Sequence, residues 1–221
     1  MKNKKKFQIA GIAGLAALAA VGASLAYFTD QEQALRFVEL GHVDIDLTED
    51  MLEDPQNPDS PWIGYQDPDN VWPGDEISKR PVITAAEDSL DCYVRASVTI
   101  ESPQGLLPEL TIDNLNINRE EWFVTPDEDR ENTWYCYYIG GSQNGILQAN
   151  DSVFVFDQVK IPGEWEAEAY GQQIIVDVTA EAIQAENFEP AIATDSQGNI
   201  ISCAWRNTEG QEIVTEVYEA E

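Results

Sequence analysis

The chain has 221 residues, with 41 acidic side chains against 12 basic ones and a formal charge of −29 at neutral pH. Such a surface repels nucleic acid and anionic lipid, which excludes both as partners of the folded chain. The length suits one domain with a real apolar core, and three cysteines with no CxxC spacing make a cysteine-based metal centre a poor expectation.

The chain opens on a basic cluster, Lys2, Lys4, Lys5 and Lys6, followed by a charge-free Ala/Gly-rich run from Phe7 to Phe28. A basic start, an apolar run and small residues before a cut are the parts of a secretory signal. Ser24-Leu25-Ala26 fits the small-x-small rule and places cleavage between Ala26 and Tyr27. An uncleaved membrane anchor is the rival reading, since a span needs about 20 apolar residues. None of the 41 acids and four of the 12 bases precede residue 27, so the chain from Tyr27 carries a formal charge of −33. Membrane contact is then expected only through the signal before it is cut. The boundaries expected are a signal at 1–26, one β-domain at 27–205 and an acidic tail at 206–221.

Beyond the signal, alternation dominates. Val43, Ile45 and Leu47 share one face of a strand and Asp44 and Asp46 the other. The stretch 49–75, with five prolines and many acids, reads as a surface loop. Residues 76–84 read as a strand, and Pro81 argues for an edge position. In 92–100, Cys92, Val94, Ala96, Val98 and Ile100 face one way and Tyr93, Arg95, Ser97 and Thr99 the other. Segment 103–130 gives no clear period. Segments 133–139, 152–161 and 173–183 are β-branched and aromatic and read as strands, with a turn region at 139–147. Residues 163–171 fit a short helix or an acidic loop. The core of the tail, 212–218, fits an edge strand or a disordered end. Seven or eight strands joined by loops predict an all-β fold, an antiparallel β-sandwich of jelly-roll type.

Catalytic signatures are missing from the sequence. There is a single histidine, His42, and no HExxH, Walker loop or GxGxxG. His42 reads as a turn or strand-edge residue, and no catalytic, cofactor-binding or metal residue is assigned. Cys92 and Cys136 lie in strand-like runs and form a candidate disulfide. Calcium is the one weak cofactor possibility, from Asp44, Asp46, Glu49, Asp50, Glu53 and Asp54, or from 67–76, though the spacing of a calcium loop is missing. The six tryptophans suit either a glycan platform or the core.

The stretch "LAYFTD" (25–30), after its Lys-rich start and Ala/Gly core, resembles the export signal of the TasA and camelysin family, whose members are processed by a SipW-type signal peptidase. "FVELGHVDIDL" (37–47), "WPGDEISKRPVI" (72–83), "DCYVRASV" (91–98) and "AEAIQAENF" (180–188) look like later landmarks of that family. The resemblance implies a secreted jelly-roll protein of a Gram-positive-type cell surface or biofilm matrix. It also implies head-to-tail fibres in which each subunit lends its N-terminal strand to the next. Tyr27, Phe28, Leu35, Phe37 and Val38 are the candidate donor-strand anchors; the competing reading makes this stretch the first strand of its own sandwich. The implied partners are a second copy of the chain, or a related matrix or accessory protein, and the signal peptidase. Two other readings compete: a camelysin-like cell-surface metallopeptidase, and a monomeric adhesin or glycan binder. Acid or divalent cations are expected to promote association by neutralising the acidic surface.

Overall fold

A computed structural model describes residues 42–102, 106–165, 169, 171–207 and 209–210. The signal, the cleavage point and all five donor-strand anchors lie outside these residues, as does the tail from 211. The described chain is all-β, built from antiparallel ladders and one short 3-10 turn at Ile112–Asn114.

Strand β1 (Ile45–Leu52) pairs with β2 (Trp62–Gly64) on one side and β4 (Arg80–Ala85) on the other, and β4 pairs in turn with β9 (Ser152–Phe154). Strand β3 (Glu76–Ser78) pairs with β10 (Gln158–Lys160). Val82 stands opposite Phe154 and Ser78 opposite Gln158, so these last two ladders share one register. They form a single long ribbon, interrupted where Pro81 has no N–H to give. There Pro81 only accepts, from Val155 N at 3.0 Å, and Lys79 N donates to Asp157 O at 3.2 Å. Asn116 fills the gap from outside, its Oδ1 accepting from the N–H groups of Asp157 and Gln158 at 3.0 and 2.9 Å.

Pro81 is therefore interior, flanked by β1 and β9, and the expected edge position is corrected. A proline fits a central strand when the ladder loses one bond there and a side chain from elsewhere caps the exposed donors nearby. The loop expected at 49–75 is also shorter than expected, because β1 runs on to Leu52 and β2 folds back on it.

The second sheet has the order β11 (Ile175–Gln184), β5 (Cys92–Glu101), β7 (Thr133–Tyr138), β6 (Trp122–Pro126). Strand β8 (Ile146–Leu147) continues the β7 ladder along β5, after a turn at Asn144 and Gly145 with positive φ at both. A Cβ at Gly145 would stand 2.6 Å from the Tyr138 carbonyl oxygen, so glycine is required there. The inward face of β5 meets Ile83, Ala85, Val155 and Val159 from the first sheet in one apolar cluster. Each such aliphatic side chain contributes about 1.5–3 kcal/mol on burial. Trp122, 1 % exposed, stitches the layers by donating its Nε1–H to the Phe154 carbonyl oxygen at 3.0 Å.

A hairpin of β12 (Phe188–Thr194) and β13 (Ile200–Asn207) follows, absent from the sequence expectations. Its turn is tied by Asp195, whose carboxylate accepts from the N–H groups of Gln197 and Asn199 at 2.8 and 2.9 Å. Cys203 and Trp205 of β13 cluster with Tyr137 on the outward face of the second sheet, against Tyr93, Phe123, Tyr135 and Ile183. Strand β13 runs to Asn207, and the Tyr93 and Arg95 face of β5 is covered.

Candidate functional site

An apolar groove of about 990 Å³ opens between the two layers. Ile77 and the strand pair Val159 and Ile161 line one wall, and Ile174 and Val176 at the start of β11 line the other. Alternation explains this second wall: residues two apart on a strand share a face, so Ile174 and Val176 point together while Ile175, 41 % exposed, points elsewhere. Trp165 is buried, its Nε1–H donating to the Pro108 carbonyl oxygen at 2.7 Å. Trp72, 60 % exposed, stands at the mouth on the segment 65–73.

The lining is not wholly apolar: Asp67, Asp69, Asn70, Gln172 and Gln173 contribute to it, and a polar cluster centres on Lys79. Lys79 is almost fully buried, and its Nζ lies 2.6 Å from Glu49 Oε2 and 4.2 Å from the centre of the Tyr65 ring. A buried ammonium needs such a partner, since an isolated one carries a large desolvation cost. Burial, reinforced by the negative charges of Asp67 and Glu49, pushes the Tyr65 hydroxyl up to about 12. The hydroxyl therefore stays protonated at neutral pH, and the lysine is engaged in an ion pair. Neither is poised as a nucleophile or a base.

Strand β11 forms the groove's rim. Among the described residues it pairs with β5 alone, and no described strand lies on its other edge. Ten residues long, it carries no proline and no lysine to blunt that edge.

The residues singled out from the sequence are placed as follows. Cys92 and Cys136 are not paired; all three cysteines are free and buried. Cys136 stands opposite Ala96, four residues along β5 from Cys92. At about 3.3 Å per residue that is about 13 Å of strand, well beyond the ~7 Å between Cα atoms that a disulfide bridges. Shared burial on one face, which the alternation announced, is not adjacency. The acids proposed for calcium are dispersed: Glu49 turns to Lys79, Asp50 to Arg80 at 3.2 Å, and Asp54 accepts from Gln56 N at 3.0 Å. Of the tryptophans, Trp122 and Trp205 are core residues, and Trp62 stacks under Arg80 at 3.7 Å.

Sequence reasoning missed Lys79 and Tyr65. Lys79 was legible as a lone cation on an otherwise apolar strand face, between Ile77 and Pro81. The groove itself had no signal, because residues of three distant segments meet there. Comparison with protein-family models, with curated proteins and with solved structures finds no match to this chain.

Proposed function

We propose that the chain is a secreted, non-enzymatic structural subunit of a cell surface or biofilm matrix, polymerising head to tail. In this reading the segment from Tyr27 to about Leu40 of one copy adds to the β11 edge of the next and seats Tyr27, Phe28, Leu35, Phe37 and Val38 along the apolar groove. The observation that carries it is the coincidence of a ten-residue strand edge that no described strand covers with an apolar groove at its start. A strand added to such an edge pairs with its backbone groups while alternate side chains fill the groove. Such an exchange does not close on itself, so it gives filaments rather than dimers. The SipW-type peptidase would free the donor segment, and a related accessory protein would serve as an alternative acceptor.

The test is electron microscopy of the chain from Tyr27, imaged during slow acidification to reduce charge repulsion. Regular filaments are expected, lost on deletion of 27–35 and weakened by Val176→Lys in the groove wall. Filaments that persist in the deletion would refute strand donation; monomers throughout would refute self-polymerisation.

A further inference from the structure

The first described residue, His42, is also the only histidine in the chain, and it does not stand alone. The donor atoms of His42, Asp44 and Asp88 all lie within 4.8 Å of one another, with His42 Nε2 at 3.8 Å from Asp88 Oδ2. We propose that these three side chains bind one divalent transition-metal ion of the zinc class. The site is distinct from the groove, and the inference stands whether or not the chain polymerises.

The donor set argues for the class of ion. One imidazole nitrogen with two carboxylate oxygens suits zinc and its first-row neighbours, whereas calcium and magnesium take all-oxygen shells. Metal–donor distances of about 2.0–2.2 Å place two donors of one ion about 3.3 Å apart, so the present spacing closes with a side-chain shift of about 1 Å. The side chains are free to make that shift: those of His42 and Asp88 are 59 % and 75 % exposed. Solvent would complete the coordination.

The backbone that carries them is held. His42 and Asp44 project from one face of the run leading into β1, two residues apart. Asp88 sits in the turn between β4 and β5. Three hydrogen bonds join these segments: Leu90 N to His42 O, Ala86 N to Asp44 O, and Asp44 N to Ser89 Oγ, each 3.0 Å. The ladder of β1 and β4 is thereby extended beyond the strand ends, and the donors are set across it rather than along one flexible loop.

Charge supplies the driving force. Two carboxylates are brought close on a chain of formal charge −29. Among the described residues no lysine or arginine pairs with either; Lys79 and Arg80 stand at the other end of the β1–β4 ladder and pair with Glu49 and Asp50. A divalent cation relieves that repulsion and ties the entry of β1 to the β4–β5 turn.

Zinc titration by calorimetry into the tag-free full-length chain, in excess magnesium, tests this, together with the NMR signals of the lone imidazole. One zinc per chain is expected, with the imidazole resonances shifting to completion at one equivalent. His42→Ala and Asp88→Asn should each weaken binding at least about tenfold, the scale on which even outer-shell partners act. The paired substitution Glu128→Gln with Asp129→Asn, which removes two exposed acids elsewhere, should leave it unchanged. Circular dichroism of the metal-free variants confirms that they fold. Zinc binding that survives His42→Ala, that excess magnesium abolishes, or that does not occur would each overturn the proposal.

Discussion

Strand β5 buries both of its faces, with different chemistry on each side. Inward, Cys92, Val94, Ala96, Val98 and Ile100 are at most 1 % exposed and meet only apolar neighbours. Outward, Arg95 is 5 % exposed, ion-paired to Glu181, donating to the Tyr137 hydroxyl at 2.8 Å, with its guanidinium 4.2 Å from the Tyr135 ring centre and 4.8 Å from that of Trp205. The first face is held by area alone. The second survives burial because each polar group has a partner, and the β12–β13 hairpin is the lid that makes the burial. Burial by itself pulls the Arg95 guanidinium down, but Glu181 and Tyr137 more than offset it and its pKa is raised. Burial likewise raises the Tyr137 hydroxyl, with Arg95 opposing. An apolar face tolerates small changes of shape; a polar buried face tolerates none that leave a charge behind.

The contrast can be broken from either side. Trp122→Ala attacks the inward layer and should cost about 3–5 kcal/mol, read as a loss of global stability in urea with all strands affected together. Arg95→Met attacks the outward layer. It removes the guanidinium that pairs with Glu181, whose side chain is 22 % exposed, and should cost about 2–3 kcal/mol, below the range for a fully buried pair. Its hydrogen exchange should rise first in 188–207, with 92–100 still protected. Adding Glu181→Gln should recover part of the loss. Uniform exchange in Arg95→Met would show that the two faces form one cooperative unit.

A smaller effect sharpens the comparison chemically, since both layers hide thiols. Burial pushes Cys92 up to about 11 and Cys136 and Cys203 up to about 12, from an ordinary 9.0. The folded chain therefore keeps protons that the unfolded chain releases between pH about 9 and about 12. The stability linked to these groups is complete below pH 9 and lost as pH rises to 12. Urea midpoints should fall over that window, and Cys136→Ala should flatten the fall. The smallest effect is on reactivity at neutral pH. All three thiols should be inert to a thiol reagent in the native chain, and all three should react in denaturant without reductant. A single reactive thiol would restore the disulfide.

Much of the fold was legible because its signals are local. The period of two in 92–100 and the β-branched and aromatic content of 133–139 and 173–183 announced three strands of the second sheet, and 139–147 read as a turn region. Segment 103–130 stayed opaque because its apolar residues Leu106, Leu110, Ile112, Leu115 and Ile117 pack as an irregular cover. The β12–β13 hairpin was legible in principle, from Asp195, Gly198 and Asn199 between two alternating runs.

What the sequence alone determined is which side chains share a strand face, since that follows from backbone geometry within one segment. It could not determine what covers a face. Arg95 was placed outward correctly, but only the folding of 188–207 onto it decided that outward meant buried. Cys92 and Cys136 were both placed in strands, and only the register of β5 against β7 set them apart. Pro81 looked like an edge residue until Asn116 arrived from a distant segment to cap the gap beside it. The groove beside β11 and the His42–Asp44–Asp88 cluster belong to the same class. Each joins segments far apart in the chain, and only long-range packing brings such segments together.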